Sequence, residues 1–537
     1  MKNNKVIAMI VTILSLTMIF SGCGGKKEDI QNTLGESDSN EKILSIASGG
    51  ELNNLSTIIM DSNNACAQKL VYECLVVYEE GEFHPCLAKS WEWSEDKTAI
   101  TFHLREGVKF HDGEIFNAEA VKEILDYYKA NPNNAFLKGI STITNIDIVD
   151  NNTVCINYQA PYFAILNDLS SPDVAAMISP KTIEPDNFTQ LKGFVGTGPY
   201  RYSEFVKGEY TEFDYYKDYW GEKTYYDKVI AKYIPDSASR LKALQTGEID
   251  LIFGSAMLTY DDYKQASTLK NAKGKIADKD ERTRNIVVNA SGEMCSDINV
   301  RKAIAMSIDK KVISDGLTYS YENVADRLFP KGVKHADCTL NNKWEYNPAE
   351  AEKLLDAAGW TMNSKTGIRE KNGKSLKLSF TYQVEVAINK DIATTIKSQL
   401  ANIGIDVELN GLEQMLWWQT DMKGDFDLTI WNTNATATVP QTYFTPWLNC
   451  SAGMAASSRL PEKADIDKAI NEYLQATDDE RIDEIFNYLI NFSNDNVIDI
   501  PLTYTKESIV YNSSKIADYD FYGYSEFFDI SKLRTIE

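Results

Sequence analysis

The sequence predicts an α/β fold divided between two lobes. At 537 residues the chain is too long for a single hydrophobic core, so two or three cores are expected. Strand-like and helix-like stretches of modest length alternate from Lys42 onward. The strand patterns at 376–382 and 405–409 enclose a helical pattern at 390–402, an arrangement typical of a βαβ unit.

Local signals predict further elements along the chain. Asn117 and Asn347 are placed to cap helices at 118–128 and 346–358, and Pro348 suits the first turn of the second helix. The polar turn at 150–152 predicts a hairpin between the flanking strands. The other predicted elements are strands at 100–104, 146–149 and 154–158 and acidic amphipathic helices at 464–475 and 479–492.

Composition excludes several classes of function. A formal net charge of −23 argues against nucleic-acid binding, which depends on basic surface to neutralise phosphates. The chain has four histidines and no H-E-x-x-H or C-x-x-C motif, so a histidine-rich or zinc-ribbon metal site is not expected. No P-loop or G-x-S-x-G motif occurs either. We therefore predict no metal, no cofactor and no catalytic residue.

The first 41 residues read as an export signal followed by a tether. Lys2 and Lys5 precede an apolar run at 6–20, which ends in Ser21-Gly22-Cys23. This ending resembles a bacterial lipobox, in which the cysteine is acylated and becomes the mature N-terminus. The interpretation is a signal peptide at 1–22, lipidation at Cys23 and a flexible polar tether over 23–41. An ordinary signal peptide or an uncleaved anchor is the alternative.

The segment Gly196-Thr197-Gly198-Pro199-Tyr200 resembles a phosphate-binding loop only superficially. Arg201 follows it, and no Gly-Lys-Ser or Gly-Lys-Thr completes the motif. The favoured interpretation is a tight turn in which the glycines permit positive φ.

Six motifs in order resemble those of the family 5 solute-binding proteins of ABC importers, which serve peptides, nickel and related cargo. They are Leu87–Trp91, Thr101–Gly113, Gly196–Tyr200, Tyr219–Gly221, Val300–Ile304 and Tyr346–Trp360. The resemblance implies a type II periplasmic-binding-protein-like fold with mixed sheets and a ligand cleft between the lobes. Lobe I would comprise 42–254 plus 499–537, and lobe II 255–498. It also implies a monomer that closes on a small-molecule or peptide-like ligand and is recognised by an ABC permease at the membrane.

Within the family the chain most resembles the nickel-binding subgroup, notably at 324–329 and 359–373. Those proteins hold nickel as a chelate, with a histidine from the second lobe and an arginine from the first. Neither residue carries over, because no histidine follows His335 and the expected arginine segment reads Ser170-Ser171-Pro172-Asp173. The aromatic residue that packs on the chelate in those proteins has a counterpart here in Phe136. Asp61 is also assigned to the ligand site.

The peptide-binding branch of the family implies a different contact with the ligand. Those relatives place an aspartate after the tryptophan equivalent to Trp431, where it pairs with the ammonium group of the peptide. Here 428–461 contains no acidic residue, and a buried ammonium without a counter-charge is costly. An aromatic and polar pocket is predicted instead, and for each tryptophan core packing is the equally weighted alternative. The pocket residues are Trp417, Trp418, Trp431, Asn432 and Asn434.

The predicted function is a lipid-anchored, extracytoplasmic solute-binding protein without enzymatic activity. Its expected ligand is a small metal chelate or peptide-like solute, and Arg282, Arg284 and Arg327 are candidates to bind carboxylate groups on it. Surface exposure is the competing interpretation for each of these arginines. An oligopeptide- or dipeptide-binding protein of the same family is the first alternative. An exported hydrolase is the alternative of another class.

Overall fold

The computed structural model describes residues 41–58, 62–79, 81–135, 137–433, 440–449, 451–522 and 526–536. The predicted signal peptide, Cys23 and most of the tether lie outside the described residues. None of the helices in these ranges is long and apolar enough to cross a bilayer.

The described part of the chain contains 24 strands. They are β1 (Ile43–Ser48), β2 (Val76–Glu79), β3 (Glu82–Pro85), β4 (Ala88–Trp93), β5 (Ala99–Leu104), β6 (Ile143–Asp150), β7 (Thr153–Tyr158), β8 (Tyr200–Val206), β9 (Tyr210–Tyr215), β10 (Lys228–Tyr233), β11 (Leu251–Phe253), β12 (Ala272–Ile276), β13 (Arg282–Val288), β14 (Asn323–Val324), β15 (Thr361–Met362), β16 (Arg369–Lys371), β17 (Lys374–Ser375), β18 (Lys377–Gln383), β19 (Asp406–Leu412), β20 (Leu428–Asn432), β21 (Asp499–Thr505), β22 (Ser508–Asn512), β23 (Ile516–Tyr519) and β24 (Leu533–Thr535).

Fourteen α-helices lie in the same ranges, several of them a single turn. They are α1 (Gln68–Val71), α2 (Ala118–Ala130), α3 (Lys138–Ser141), α4 (Ile165–Leu169), α5 (Ser237–Thr246), α6 (Tyr260–Ala266), α7 (Ile298–Ser307), α8 (Pro348–Ala357), α9 (Asn389–Ala401), α10 (Gln414–Lys423), α11 (Gln441–Phe444), α12 (Ala452–Ser457), α13 (Lys463–Tyr473) and α14 (Asp479–Asp495). Short 3-10 segments and a π-helical turn at Val312–Leu317 complete the set.

Two large mixed sheets organise the molecule. The first has seven strands in the order β12-β22-β11-β1-β10-β9-β8, with β1 parallel to both of its neighbours. The second has six strands in the order β14-β21-β13-β20-β18-β19, with β18 parallel to both of its neighbours. A four-stranded antiparallel sheet, β4-β5-β7-β6, shares a hydrophobic core with one face of the first sheet. The fold is thus α/β with several mixed sheets, as predicted.

Separate hydrophobic cores form around the two large sheets. The core beside the first sheet includes Leu44 and Phe102, and the core of the second sheet includes Phe380 and Ile396. Helices α11–α14 enclose another core, which includes Trp447 and Phe486. This division agrees with the expectation that a chain of this length needs more than one core.

The chain passes between the two large sheets twice. It leaves the first sheet after β12, which ends at Ile276, and enters the second at Arg282. It returns between Thr505 at the end of β21 and Ser508 at the start of β22. These strand assignments put β12 with the first sheet and β21 with the second. The division of the chain into lobes at 254 and 499 stays a prediction.

Local sequence signals were reliable. Asn117 accepts a hydrogen bond from the backbone of Ala120, and Asn347 accepts one from Glu350, so both predicted caps are confirmed. Strands β6 and β7 form the predicted hairpin. Strands β18 and β19, joined through α9, are parallel and form the predicted βαβ unit.

The positive-φ interpretation of the glycines at 196 and 198 was wrong. Neither residue lies in the left-handed region. A Cβ at Gly196 would instead lie 2.1 Å from the carbonyl oxygen of Val71, and one at Gly198 would lie 2.6 Å from that of Leu70. The Gly198 amide donates to the Val71 carbonyl at 3.0 Å. Glycine is required here because two backbone segments touch.

Candidate functional site

A cavity of about 370 Å³ is lined by residues from both large-sheet regions. We call the lining residues that fall within 49–257 and 526–527 the first wall. The lining residues that fall within 383–446, together with Arg284, form the second wall. Arg282, Thr505 and Glu507 line the cavity where the chain crosses between the sheets. A cavity of this size suits a small ligand enclosed between two surfaces.

Carboxylic acids characterise the first wall. Asp168, in the last turn of α4, accepts a hydrogen bond from the Gly139 amide at 2.7 Å. Asp173 accepts one from the Ser171 hydroxyl at 2.6 Å. Burial raises the pKa of Asp168 to about 7 and raises that of Asp173 above its ordinary value. Both carboxyls therefore hold their protons more tightly than an exposed aspartate does.

The second wall is built where strands of the second sheet end. Gln383 ends β18 and Asn432 ends β20, and because these strands are parallel their ends meet at one edge. Arg284 on β13 lies directly opposite Asn432 in the register. Glu385 follows β18, and Gln441 begins α11. Sheet topology thus brings together side chains that are far apart in the sequence.

Several buried polar atoms of this wall have no hydrogen-bond partner within the described protein. They are Arg284 Nε, Gln383 Nε2, Glu385 Oε2, Asn432 Oδ1 and both amide atoms of Gln441. Arg284 and Gln441 are only 3% and 1% exposed. Native proteins pair the great majority of buried polar groups, and these atoms are available to hydrogen-bond solvent or a bound solute. The set contains both donors and acceptors.

Glutamates neutralise both guanidinium groups of the cavity. Arg282 lies 3.0 Å from Glu507 and 3.0 Å from Glu526. Burial lowers the pKa of Arg282, but the two glutamates outweigh this and hold that pKa above its usual value. Arg284 lies 2.9 Å from Glu322, which is fully buried and also accepts a hydrogen bond from Tyr260. Neither arginine is an uncompensated positive charge.

Three of the predicted site residues line the cavity, namely Arg282, Arg284 and Asn432. Arg327 lies outside the lining and pairs with Asp326 at 3.5 Å and Asp337 at 3.1 Å. Asp61, Phe136, Asn434 and Cys23 fall outside the described residues. Asn63, two residues after Asp61, and Leu137, which follows Phe136, do line the cavity.

The predicted tryptophans form a cluster beside the cavity. The rings of Trp417 and Trp431 lie 4.8 Å apart, and the Trp431 indole donates to the buried Asp421 at 2.7 Å. Burial raises the pKa of Asp421 to about 6. Trp418 is 41% exposed. None of the three belongs to the cavity lining, and their contact with a ligand stays a prediction.

Sequence reasoning missed the carboxylates and amides that line the cavity. The lack of acidic residues in 428–461 does not exclude an ammonium ligand, because the cavity takes its acids from other segments. The missed residues are Asp168, Gln383, Glu385, Gln441, Glu507 and Glu526, and Asp173 was noted only as the lack of an arginine. The acidic Asp173, in the segment where the nickel-binding relatives have an arginine, was the signal in the sequence that pointed to an acidic wall. Single polar residues in loops and at strand ends have no diagnostic pattern.

Comparison with known proteins decides the family. The sequence profile of the bacterial extracellular solute-binding proteins, family 5, matches residues 82–455. The chain belongs to this family. It is accordingly a solute-binding protein of an ABC importer, and the family acts outside the cytoplasm and transports solutes without converting them.

Individual members of family 5 give the nearer context. The nickel-binding periplasmic protein of Escherichia coli (strain K12) is 30% identical over 456 residues, which cover 83% of this chain and 86% of that protein. The glutathione-binding protein of Salmonella typhi is 30% identical over 338 residues, which cover 61% of this chain and 60% of that protein. Curated relatives thus include binders of different solutes.

Solved family 5 structures support the fold. NikA from Brucella suis, in complex with Fe(III)-EDTA, superposes with a TM-score of 0.85 at 30% identity, covering 92% of this chain and 100% of that one. The oligopeptide-binding protein AppA from Bacillus subtilis, in complex with a nonapeptide, reaches a TM-score of 0.80 at 19% identity, covering 93% and 100%. The two-lobe architecture is therefore established.

Proposed function

We propose that this protein captures a small polar solute, a metal chelate or a peptide-like molecule, in the cavity between its walls. Delivery would be to the membrane permease of an ABC importer, with Cys23 as the lipid anchor. The observation that carries the proposal is the group of buried polar atoms on the second wall for which no described residue provides a partner. The monomeric state and the lobe boundaries belong to the same proposal.

Closure of the lobes on the solute is part of this function. Phe163 packs against the core of the first sheet and also against the core of helices α11–α14. In the second of these its ring centroid lies 5.7 Å from that of His335 and 6.4 Å from that of Phe486. A contact shared by two cores would exist only while the lobes are together. A solute that touches both walls favours that state through its differential contacts.

Native mass spectrometry of the purified protein, followed by mass and elemental analysis of whatever it retains, tests solute capture directly. A retained small molecule supports the proposal, whereas product formation from a supplied substrate without retention would favour a hydrolase. Small-angle scattering should show a smaller radius of gyration for the loaded protein than for the stripped protein. Equal radii would contradict closure.

A substitution tests the contact that spans the lobes. Phe163→Ala should increase the radius of gyration of the loaded protein, measured by small-angle scattering, and should weaken solute retention. Phe194→Ala is the matched control, because Phe194 packs on Tyr202, 5.1 Å away, beside the first sheet only. If both variants behave alike, Phe163 has no special part in closure.

Anchoring is tested separately from capture. Cys23→Ala should release the protein into the soluble fraction, since the acylated cysteine would be its attachment to the membrane. Fractionation of cells that express each form provides the measurement. A variant that stays in the membrane fraction and is cleaved as before would refute lipidation at Cys23.

A further inference from the structure

We infer that the captured solute is a small organic cation, such as a molecule with a protonated amine or guanidinium group, and that Asp173 and Glu385 supply its counter-charge. This inference rests on the proposed function and deepens it. The two residues belong to different walls of the cavity, so a solute held by both would also bridge the lobes.

The charge balance of the cavity is the first support. Its described lining contains five carboxylic acids and two guanidinium groups. Arg282 already forms ion pairs with Glu507 and Glu526, and Arg284 forms one with Glu322, which is not part of the lining. Neither guanidinium of the described lining carries an uncompensated positive charge, although Arg284 Nε lacks a hydrogen bond. An anionic solute would therefore enter a site whose uncompensated charge is negative.

Three carboxyl groups lack an ion-pair partner among the described residues. They are Asp168, Asp173 and Glu385, and of these Asp168 has the charge of Lys138 nearby, which opposes the rise of its pKa. Each has one hydrogen bond from the protein, from the Gly139 amide, the Ser171 hydroxyl and the Gln414 amide respectively. The second oxygen of Glu385, Oε2, is buried and unpartnered.

A carboxylate withdrawn from water without a counter-charge is costly, and a solute cation would relieve that cost. Asp168 is buried, and Asp173 and Glu385 are partly buried. The pKa values agree with this account. Burial raises the pKa of Asp173, and it raises that of Glu526, which also lies near the negative charges of Asp173 and Glu507, despite the opposing effect of Arg282.

The unpartnered amides provide independent support and narrow the class of cation. Gln441, 1% exposed, offers both an NH2 donor and a carbonyl acceptor to the cavity. Gln383 offers a further donor and Asn432 a further acceptor. A bare metal ion cannot donate hydrogen bonds, and a simple alkylamine cannot accept them from a cavity donor. The site therefore fits a cation that also carries hydroxyl, amide or similar polar groups.

The experiment uses the purified chain, stripped of solute, and the dialysable fraction of yeast extract. Ion-exchange resins divide that fraction into cationic, neutral and anionic pools at neutral pH. Each pool is tested by the shift in Tm and by mass spectrometry of the solute retained after dialysis. We expect the cationic pool to raise Tm, because a ligand that binds only the folded state stabilises it by mass action. Nickel chloride and nickel–histidine are tested alongside.

Charge-removing variants assign the effect to the cavity. Asp173→Asn and Glu385→Gln should each weaken retention of the cationic solute by about tenfold or more, as expected for loss of a buried charge pair. Asp425→Asn is the matched control, because Asp425 is exposed and outside the lining. Tm without solute shows whether each variant is folded, and two variants on different walls protect the test against one that is not.

The outcomes separate the two proposals. Stabilisation by the neutral or anionic pool, or by nickel chloride alone, would overturn the cation inference while solute capture stands. Unchanged retention in both folded variants would also overturn it. If no pool binds, the proposed function itself fails, and the inference fails with it.

Discussion

The two walls of the cavity differ in the kind of interaction that their polar groups lack. On the first wall Asp168 and Asp173 each accept a hydrogen bond and form no ion pair with a described residue, although Lys138 acts on Asp168 electrostatically. On the second wall Arg284 has its cationic charge compensated by Glu322, whereas its Nε and the amide of Gln441 lack hydrogen bonds. Charge acts over a longer range than a hydrogen bond, which requires contact and alignment. The first wall is thus suited to selecting the charge of a solute, and the second to orienting it.

The largest effect is expected at Glu322, which supports the second wall through Arg284. Glu322→Gln should lower the free energy of unfolding by about 3–5 kcal/mol, because it leaves the guanidinium of Arg284 buried without a counter-charge. Urea denaturation measures the change. Glu408→Gln is the control, since Glu408 pairs with Lys377 on the surface, and we expect it to leave stability unchanged. Equal effects of the two variants would contradict the view that Arg284 depends on Glu322.

The first wall should show its character in the pH dependence of stability. The folded pKa of Asp168, about 7, lies above its ordinary value of 3.8, so its contribution to stability is fully present below about pH 4 and is lost as pH rises through 7. Asp168→Asn removes this loss. The free energy of unfolding of Asp168→Asn, relative to that of the wild type, should therefore increase by on the order of 2 kcal/mol between about pH 5 and about pH 8.

Urea denaturation at the two pH values checks this prediction. Asp425→Asn, at an exposed position, should show no such growth. Parallel stability profiles for the wild type and Asp168→Asn would mean that Asp168 titrates like an exposed carboxyl. The contrast between the walls would then be lost.

Substitution of Gln441 is expected to have smaller effects, which raise the stability of the solute-free protein and lower its retention of solute. Gln441→Met replaces an unpartnered buried amide with an apolar chain of similar shape, and should stabilise the solute-free protein by about 1 kcal/mol. The same change should weaken retention of the solute, because a donor and an acceptor are lost. Thermal unfolding and dialysis retention provide the two readings. Gln265→Met, on the exposed face of α6, should alter neither. Weaker stability with unchanged retention would contradict an orienting role.

Sequence alone was sufficient for the local elements and the family. The caps at Asn117 and Asn347, the βαβ unit and the ordered motifs are determined within short windows, and the structure and the family comparison confirm them. Hydrogen bonding within one turn and hydrophobic periodicity are local properties, so a linear reading detects them.

The make-up of the cavity was decided by tertiary structure. Arg282, Arg284 and Asn432, which line the cavity, were among the residues predicted from the sequence, but the glutamates that pair with the two arginines were not. Glu507 lies more than two hundred residues beyond Arg282, and the two meet only because the chain crosses twice between the sheets. Whether a charge is free or compensated depends on such distant contacts. The sequence therefore determined which polar residues are present, and only the packed fold decided which of them lack a partner.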